Sequence, residues 1–446
     1  MIGFGTPASA CADAATPGPV TFAPTLLTLD THEGRGSCTF SRASSATVKQ
    51  ASHIWVEVGS HVHRVWGGTY AGGVWSAVGV TTAIHHGVTW YDQNGFGLLI
   101  EPSRTNYVYY SRRYSGCLWS VNNRTVSQTA VGIDGIANSA VAITQTTWYA
   151  VNQTEYYSLS GNVVASFFVK KDVTASNYFG AVSHGASTYI SSVQENLAID
   201  NGANSSFSLV GTPTFSMSLV GDWWHIRHGG SFTGHISYGF YPAIGGSTRW
   251  TWADQGQTPT VICDNMQVEV GLGATTPIFT TSSLVTRAGE ACKWPAAGNY
   301  SDTSGTLICE MELPFLQSAA FVTTGTMGLV SLSGSATSLA YYDFAAQAFK
   351  TTDGTNTSSV AAVPTCGKRW RIAVRWKAAT NEVQIGAKNI SDSGSWSWSS
   401  VATYDGDFAS DGYISLGVGI PESIVIANVM ILSAAKTTTE IEVEWP

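Results

Sequence analysis

The chain has 446 residues, of which 44% are hydrophobic and only 12% charged, and its formal net charge is -8. The charged share is about half the usual one, and no basic stripe offsets the acidic balance. This excludes nucleic-acid binding through phosphate neutralisation and adsorption to an anionic membrane. A chain this long exceeds one ordinary core, so roughly two to four domains are expected.

Gly, Ser and Thr abound beside 16 Trp and 18 Tyr, an all-β composition with more aromatics than cores alone require. No apolar run approaches the ~18 residues that a membrane span needs. Lys and Arg are missing before Arg35 and Asp13 interrupts the first apolar stretch, so no secretory leader is expected. Seven cysteines (Cys11, Cys38, Cys117, Cys263, Cys292, Cys309, Cys366) are odd in number and never in C-x-x-C spacing. Small buried thiols in a reducing cytoplasm are expected, with neither a zinc site nor a disulfide framework.

In chain order, residues 1–37 hold Pro7, Pro17, Pro19 and Pro24 and read as an extended arm that packs along a neighbouring subunit, with a locally folded-back terminus as the alternative. Residues 38–115 alternate as short strands, with Ile54, Val56 and Val58 in period two. His61 and His63 share one strand face and His85-His86 are adjacent, but no carboxylate follows at ligand spacing, so no metal site is assigned. The run Leu98-Leu99-Ile100 reads as a strand buried on both faces, entered by the turn Asn94-Gly95-Phe96-Gly97. Glu101 is held extended by Pro102, Arg104 is near enough to pair with it or to fork onto a carbonyl, and Asn106 closes the turn. This stretch lacks a nucleophile, a base and metal-ligand spacing, and it reads as a structural joint.

Residues 116–290 read as a β-sandwich. In Asp222-Trp223-Trp224-His225-Ile226-Arg227 the two tryptophans point to opposite faces, so one of them is expected to face away from the core. The closing strand places Asn265, Gln267 and Glu269 opposite Met266, Val268 and Val270. A polar row beside exposed indoles suits a neutral sugar, since amides and carboxylates bond hydroxyls while the ring stacks on the C–H face; an ordinary solvated face is the alternative. Trp250 and Trp252 share a face at period two, a spacing that suits stacking on successive sugar rings or anchoring a subunit interface.

Residues 291–446 read as a second sandwich. Trp370, Ile372, Val374 and Trp376 alternate with Arg369, Arg371, Arg375 and Lys377, a half-buried strand that turns at Ala379-Thr380-Asn381 into a hairpin. The arginine stripe suits either an acidic polysaccharide or a face balanced by Glu382. Glu310 and Glu312 share a strand face, yet Pro314 breaks the pattern that paired-carboxylate hydrolases need. Glu440, Glu442 and Glu444 read as an acidic strand or a fraying tail. No catalytic residue, metal or cofactor is assigned.

The strings G-L-L-I-E-P-S-R-T-N (Gly97–Asn106), Phe40-Ser41-Arg42-Ala43-Ser44-Ser45-Ala46-Thr47, Gly132-Ile133-Asp134-Gly135 and Met266-Gln267-Val268-Glu269-Val270-Gly271 carry a resemblance, together with Trp119, Ala274-Thr275-Thr276-Pro277-Ile278 and Val285-Thr286-Arg287-Ala288. The chain resembles a family of tailed-bacteriophage virion proteins, the head-spike, tail-fibre and receptor-binding proteins; Ile133 departs from the family's usual proline. The resemblance implies a carbohydrate-binding-module-like sandwich after the joint, and the pattern of residues 291–446 resembles a concanavalin-like or laminin-G-like jelly roll. It further implies a non-enzymatic homotrimeric virion subunit on the tail or capsid surface, assembled in the host cytoplasm. Its partners would be other virion proteins, met through the arm, and a host-surface glycan, without membrane insertion. A decoration protein whose sandwiches serve subunit packing is the alternative, and a polysaccharide-degrading enzyme is the third.

Overall fold

A computed structural model describes side chains over residues 99–112, 125–144, 159, 161–170, 222–227, 260–297, 299–313, 325–332, 338–365, 367–406, 408, 410–421 and 423–446, and the backbone of further strands. The chain is all-β, built from antiparallel sheets. Among the described residues the α-helix is Thr438–Glu444.

The C-terminal half is a sandwich of two sheets. One runs in the order Ser397–Trp398, Glu382–Asn389, Arg369–Lys377, Ser304–Glu312, Ile424–Leu432, Gly97–Ile100, Arg64–Trp66, with Val20–Phe22 added beside Ile424–Leu432. The other runs Thr39–Ser41, Ala291–Pro295, Tyr413–Val418, Thr326–Ser331, Ala340–Asp343, Ala348–Thr352, Thr357–Ala361. Their facing sides interdigitate in one core that contains Ile100, Trp294, Met311, Leu329, Tyr342, Ile372, Val374, Trp376, Ile414 and Ile426. Alternation is what makes this possible, because every second residue of Arg369–Lys377 faces that core. Gly305 sits beneath Trp376, whose ring lies 2.1 Å from where a Cβ would stand.

This topology differs from an arm and a small domain set apart before the joint. Backbone strands from residues 20–22, 39–41, 64–66 and 97–100 are paired into the two sheets of the C-terminal sandwich. The reason lies in Gly97–Ile100. An apolar strand with both faces covered needs neighbours, and it finds Ile424–Leu432 on one side and Arg64–Trp66 on the other. Leu99 packs on Val425 and Ala427, while Ile100 enters the main core.

Between these segments lies an 11-stranded sheet whose centre is Tyr157–Lys170, paired with both Thr260–Val270 and the long strand Trp223–Ile244. Its core holds Val141, Ile143, Val163, Phe167, Ile226, Met266 and Val268. Both closing strands carry a bulge with an asparagine in the left-handed region, Asn265 at φ 45° and Asn428 at φ 47°.

The last element departs from the acidic strand or tail expected at Glu440, Glu442 and Glu444. It is a seven-residue helix started by a capping box: Thr437 Oγ1 accepts from the Glu440 N–H while the Glu440 carboxylate accepts from the Thr437 N–H. Ile441 docks it on Ile308 and Ala373, on the outer side of the sheet, next to Trp396, Trp398 and Trp445.

Candidate functional site

The densest polar constellation among the described residues lies where the two halves meet, around Glu101. This carboxylate is fully buried. Its Oε1 accepts from Thr276 N at 2.8 Å and from Ser423 Oγ at 2.8 Å. Its Oε2 accepts from Thr276 Oγ1 at 2.7 Å and pairs with Arg287 Nη1 at 2.8 Å. The backbone N–H of Glu101 donates to Glu290 Oε2 at 2.9 Å, and its carbonyl accepts from Glu290 N at 3.0 Å. A charge so buried is tolerable only when paired and hydrogen-bonded, which is what this set provides.

The rest of the joint fastens neighbouring segments. Ser103 Oγ donates to the Arg287 carbonyl at 3.1 Å, and Thr105 and Thr286 share a hydroxyl contact of 2.7 Å. Arg104 donates to the Pro421 carbonyl across Gly271, which has no side chain to obstruct the guanidinium. Asn106 uses its whole amide: Nδ2 donates to Met266 O and Ile278 O, and Oδ1 accepts from Val108 N and Val268 N.

The expectation of an exposed polar row at Asn265, Gln267 and Glu269 is corrected. All three are buried, at most 1% exposed. The segment after the closing strand folds back over them, so that Gln267 Oε1 accepts from Ile278 N at 2.6 Å and Glu269 Oε2 accepts from Thr275 N at 2.9 Å. Thr275 Oγ1 lies 2.5 Å from Glu269 Oε1, and Gln267 Nε2 lies 2.7 Å from Glu269 Oε2. Burial pushes the Glu269 carboxyl above its ordinary range, against the pull of Arg104 and Arg287. The tryptophans differ as well. Trp223 is buried with Ile133, Ala140 and Phe168, while half-buried Trp224 packs on the core of the 11-stranded sheet. They face opposite ways, and both faces are covered. Trp250 and Trp252 lie outside the described residues, as do the side chains of Leu98, His61, His63, His85 and His86.

A second ionic cluster has no signal in the sequence. Arg112 bonds both oxygens of Asp264, at 2.8 and 2.7 Å, pairs with Asp134, and covers the Phe279 ring at 4.4 Å. Burial alone would raise Asp134, but hydrogen bonds from Arg112 and Ser139 hold it below the usual carboxylate range. For the more deeply buried Asp264, desolvation outweighs the same arginine and the carboxyl is raised. Nothing local announces Arg112 or Arg287 as a partner, because their carboxylates arrive from distant segments.

On the outer face of the C-terminal sandwich the arginine stripe is internally balanced. Arg371 pairs with Glu310 at 2.8 Å and Arg375 with Glu382 at 3.0 Å, while Arg369 lies 3.8 Å from Glu312. Glu310 is further bonded by Asn428 Nδ2 at 3.0 Å. Cys263, Cys292 and Cys309 are buried. No group of three or more His, Cys, Asp or Glu suited to a metal ion occurs among the described residues.

No protein family and no curated protein matches the chain. Among solved structures, Trypanosoma rangeli sialidase aligns at 9% identity and a TM-score of 0.24, over 72% of this chain and 61% of that one. The same enzyme with the inhibitor DANA and with sialic acid aligns at 10% identity and TM-scores of 0.23. The chain thus spans 61% of the length of these sialidases, and a likeness this slight establishes neither a shared fold nor a shared chemistry.

Proposed function

We propose that the chain is a non-enzymatic structural subunit of a tailed-bacteriophage virion, a spike or tail-fibre protein whose sandwiches are locked into one stiff body. The observation that carries this reading is the use made of the stretch from Leu99 to Asn106. Leu99 and Ile100 fill cores, Glu101 anchors the ionic cluster, Pro102 is buried, and Ser103, Arg104, Thr105 and Asn106 bond segments from the other half. A subunit that transmits force between a particle and a surface needs such a joint. Assembly as a homotrimer and contact with other virion proteins through the N-terminal segment belong to the same proposal.

Host-glycan contact is assigned to the Trp250–Trp252 segment, since the polar row of the closing strand is covered. The covering of that row, and the pairing of the arginine stripe, favour a second reading as a head or tail decoration protein. Antibody against the chain should label purified phage particles in electron micrographs, at the tail or on the capsid, and its absence from particles overturns both readings. A glycan array with the full chain separates them: binding that is lost in Trp250→Ala/Trp252→Ala supports receptor contact, and no binding at high avidity supports decoration.

A further inference from the structure

Thr275, Gln267 and Glu269 hold their reactive groups together in a place closed to water, none more than 1% exposed. The Thr275 hydroxyl lies 2.5 Å from Glu269 Oε1, and the Gln267 amide nitrogen lies 2.7 Å from Glu269 Oε2 and 3.4 Å from Thr275 Oγ1. The amide's carbonyl oxygen receives Ile278 N–H at 2.6 Å and Asn265 Nδ2 at 3.5 Å. An acyl transfer needs a hydroxyl nucleophile, a base in contact with it, donors aimed at the carbonyl oxygen, and an acid beside the leaving nitrogen. The hydroxyl, the carboxylate and the donors are all in contact, and one carboxylate touches both the hydroxyl and the amide nitrogen. The hydroxyl stands on the nitrogen side of the amide and has to slide onto the carbonyl carbon to react.

We propose that Thr275 and Gln267 join in an intramolecular ester cross-link. Thr275 Oγ attacks Gln267 Cδ as its proton passes to Glu269. The negative charge that develops on Gln267 Oε1 is held by Ile278 N–H and the Asn265 amide. Collapse breaks the Cδ–Nε2 bond, Glu269 returns the proton to that nitrogen, and ammonia leaves. The chain therefore loses one ammonia and Glu269 ends as it began, so no oxidant or other co-reactant is required.

Two features make the step physically reasonable. An amide is a poor electrophile, and excluding water both strengthens the fixed donors and removes the competing hydrolysis. Burial that favours the protonated form makes the Glu269 carboxylate a stronger base toward the Thr275 hydroxyl it already touches. The bond would tie the covering segment to the closing strand, beside the Glu101 cluster.

The test is the intact mass of the wild-type full chain purified after folding, with fragment-ion mapping of the 260–287 region. The expected result is a deficit of one ammonia confined to residues 267–275, released by hydroxylamine with formation of a hydroxamate at Gln267. Thr275→Ser should keep the deficit, because its hydroxyl remains; Thr275→Val and Glu269→Gln should restore full mass. An undiminished wild-type mass overturns the proposal. So does a deficit that maps elsewhere or persists in Thr275→Val, since loss of ammonia at an asparagine would then be its source. The decisive reading is made on the wild-type chain and does not depend on whether a variant folds.

Discussion

Glu101 and Arg287 show how much one buried pair controls. Neither has water to fall back on, so removing one partner strands the other. Arg287→Met should destabilise the chain by about 3–5 kcal/mol, read as a lower denaturant midpoint, while Glu101→Gln/Arg287→Met together should cost less than the sum of the single changes. The Arg112 cluster gives a pH dependence with two signs. Asp134 is held below its ordinary range, so its contribution is present above the unfolded carboxylate range and is lost as pH falls through the lowered value. Asp264 is raised, so its folded form is favoured at low pH and loses ground as pH climbs through the raised value. Asp134→Asn should therefore flatten the acid limb of a stability–pH curve, whereas Asp264→Asn should leave that limb standing. Asn106 is legible in the sequence as a turn-closing side chain, because a short amide after a proline has few other uses. Its partners at positions 266, 268 and 278 are not, since nothing in the spacing says which distant backbone it will bond.

Among the elements, the two bulged strands and the final helix test different physics. Asn428 stands in the left-handed region, where glycine is at ease and alanine is not. Asn428→Gly should thus lose only its bond to Glu310, and Asn428→Ala should cost about 1–2 kcal/mol more, compared by thermal melting. In the helix, Thr437→Ala removes the cap and should cost about 1 kcal/mol, while Ile441→Ala opens a gap over Ala373 and should cost about 2–5 kcal/mol. Faster amide exchange in the helix would report both. Thr437-x-x-Glu440 is a capping-box signature that the sequence displays openly, yet the alternation of Glu440, Glu442 and Glu444 suggests a strand. Seven residues are too few to decide by periodicity, and the docking of Ile441 settles the matter. Strict alternation in Arg369–Lys377, by contrast, predicts the observed strand, down to the turn at Asn381 with its φ of 57°.

For the molecule as a whole, the all-β class and the C-terminal sandwich are legible, because they rest on composition and local period. The use of N-terminal strands to complete that sandwich is not, since edge pairing between remote segments leaves no local trace. One consequence is measurable. Deleting residues 1–66 should lower the melting temperature of the C-terminal sandwich, which a free arm and a separate small domain would leave unchanged. The buried polar row likewise escapes detection: alternation tells which residues share a face, and says nothing about a later segment folding back to cover it.

The pairing of Gly97–Ile100 with Ile424–Leu432 also sets a timetable for synthesis. Glu101 meets partners at Thr276, Arg287, Glu290 and Ser423, and a ribosome moving at about 5–20 residues per second delivers the last of them long after the first. Until then a strand apolar on both faces waits without its neighbour, and such long-range closure is slow. A nascent chain arrested before residue 423 should be cleaved by protease around Leu99, and completion of the strand Ile424–Leu432 should abolish that cleavage. The joint is made early in synthesis and is among the last parts of the fold to close.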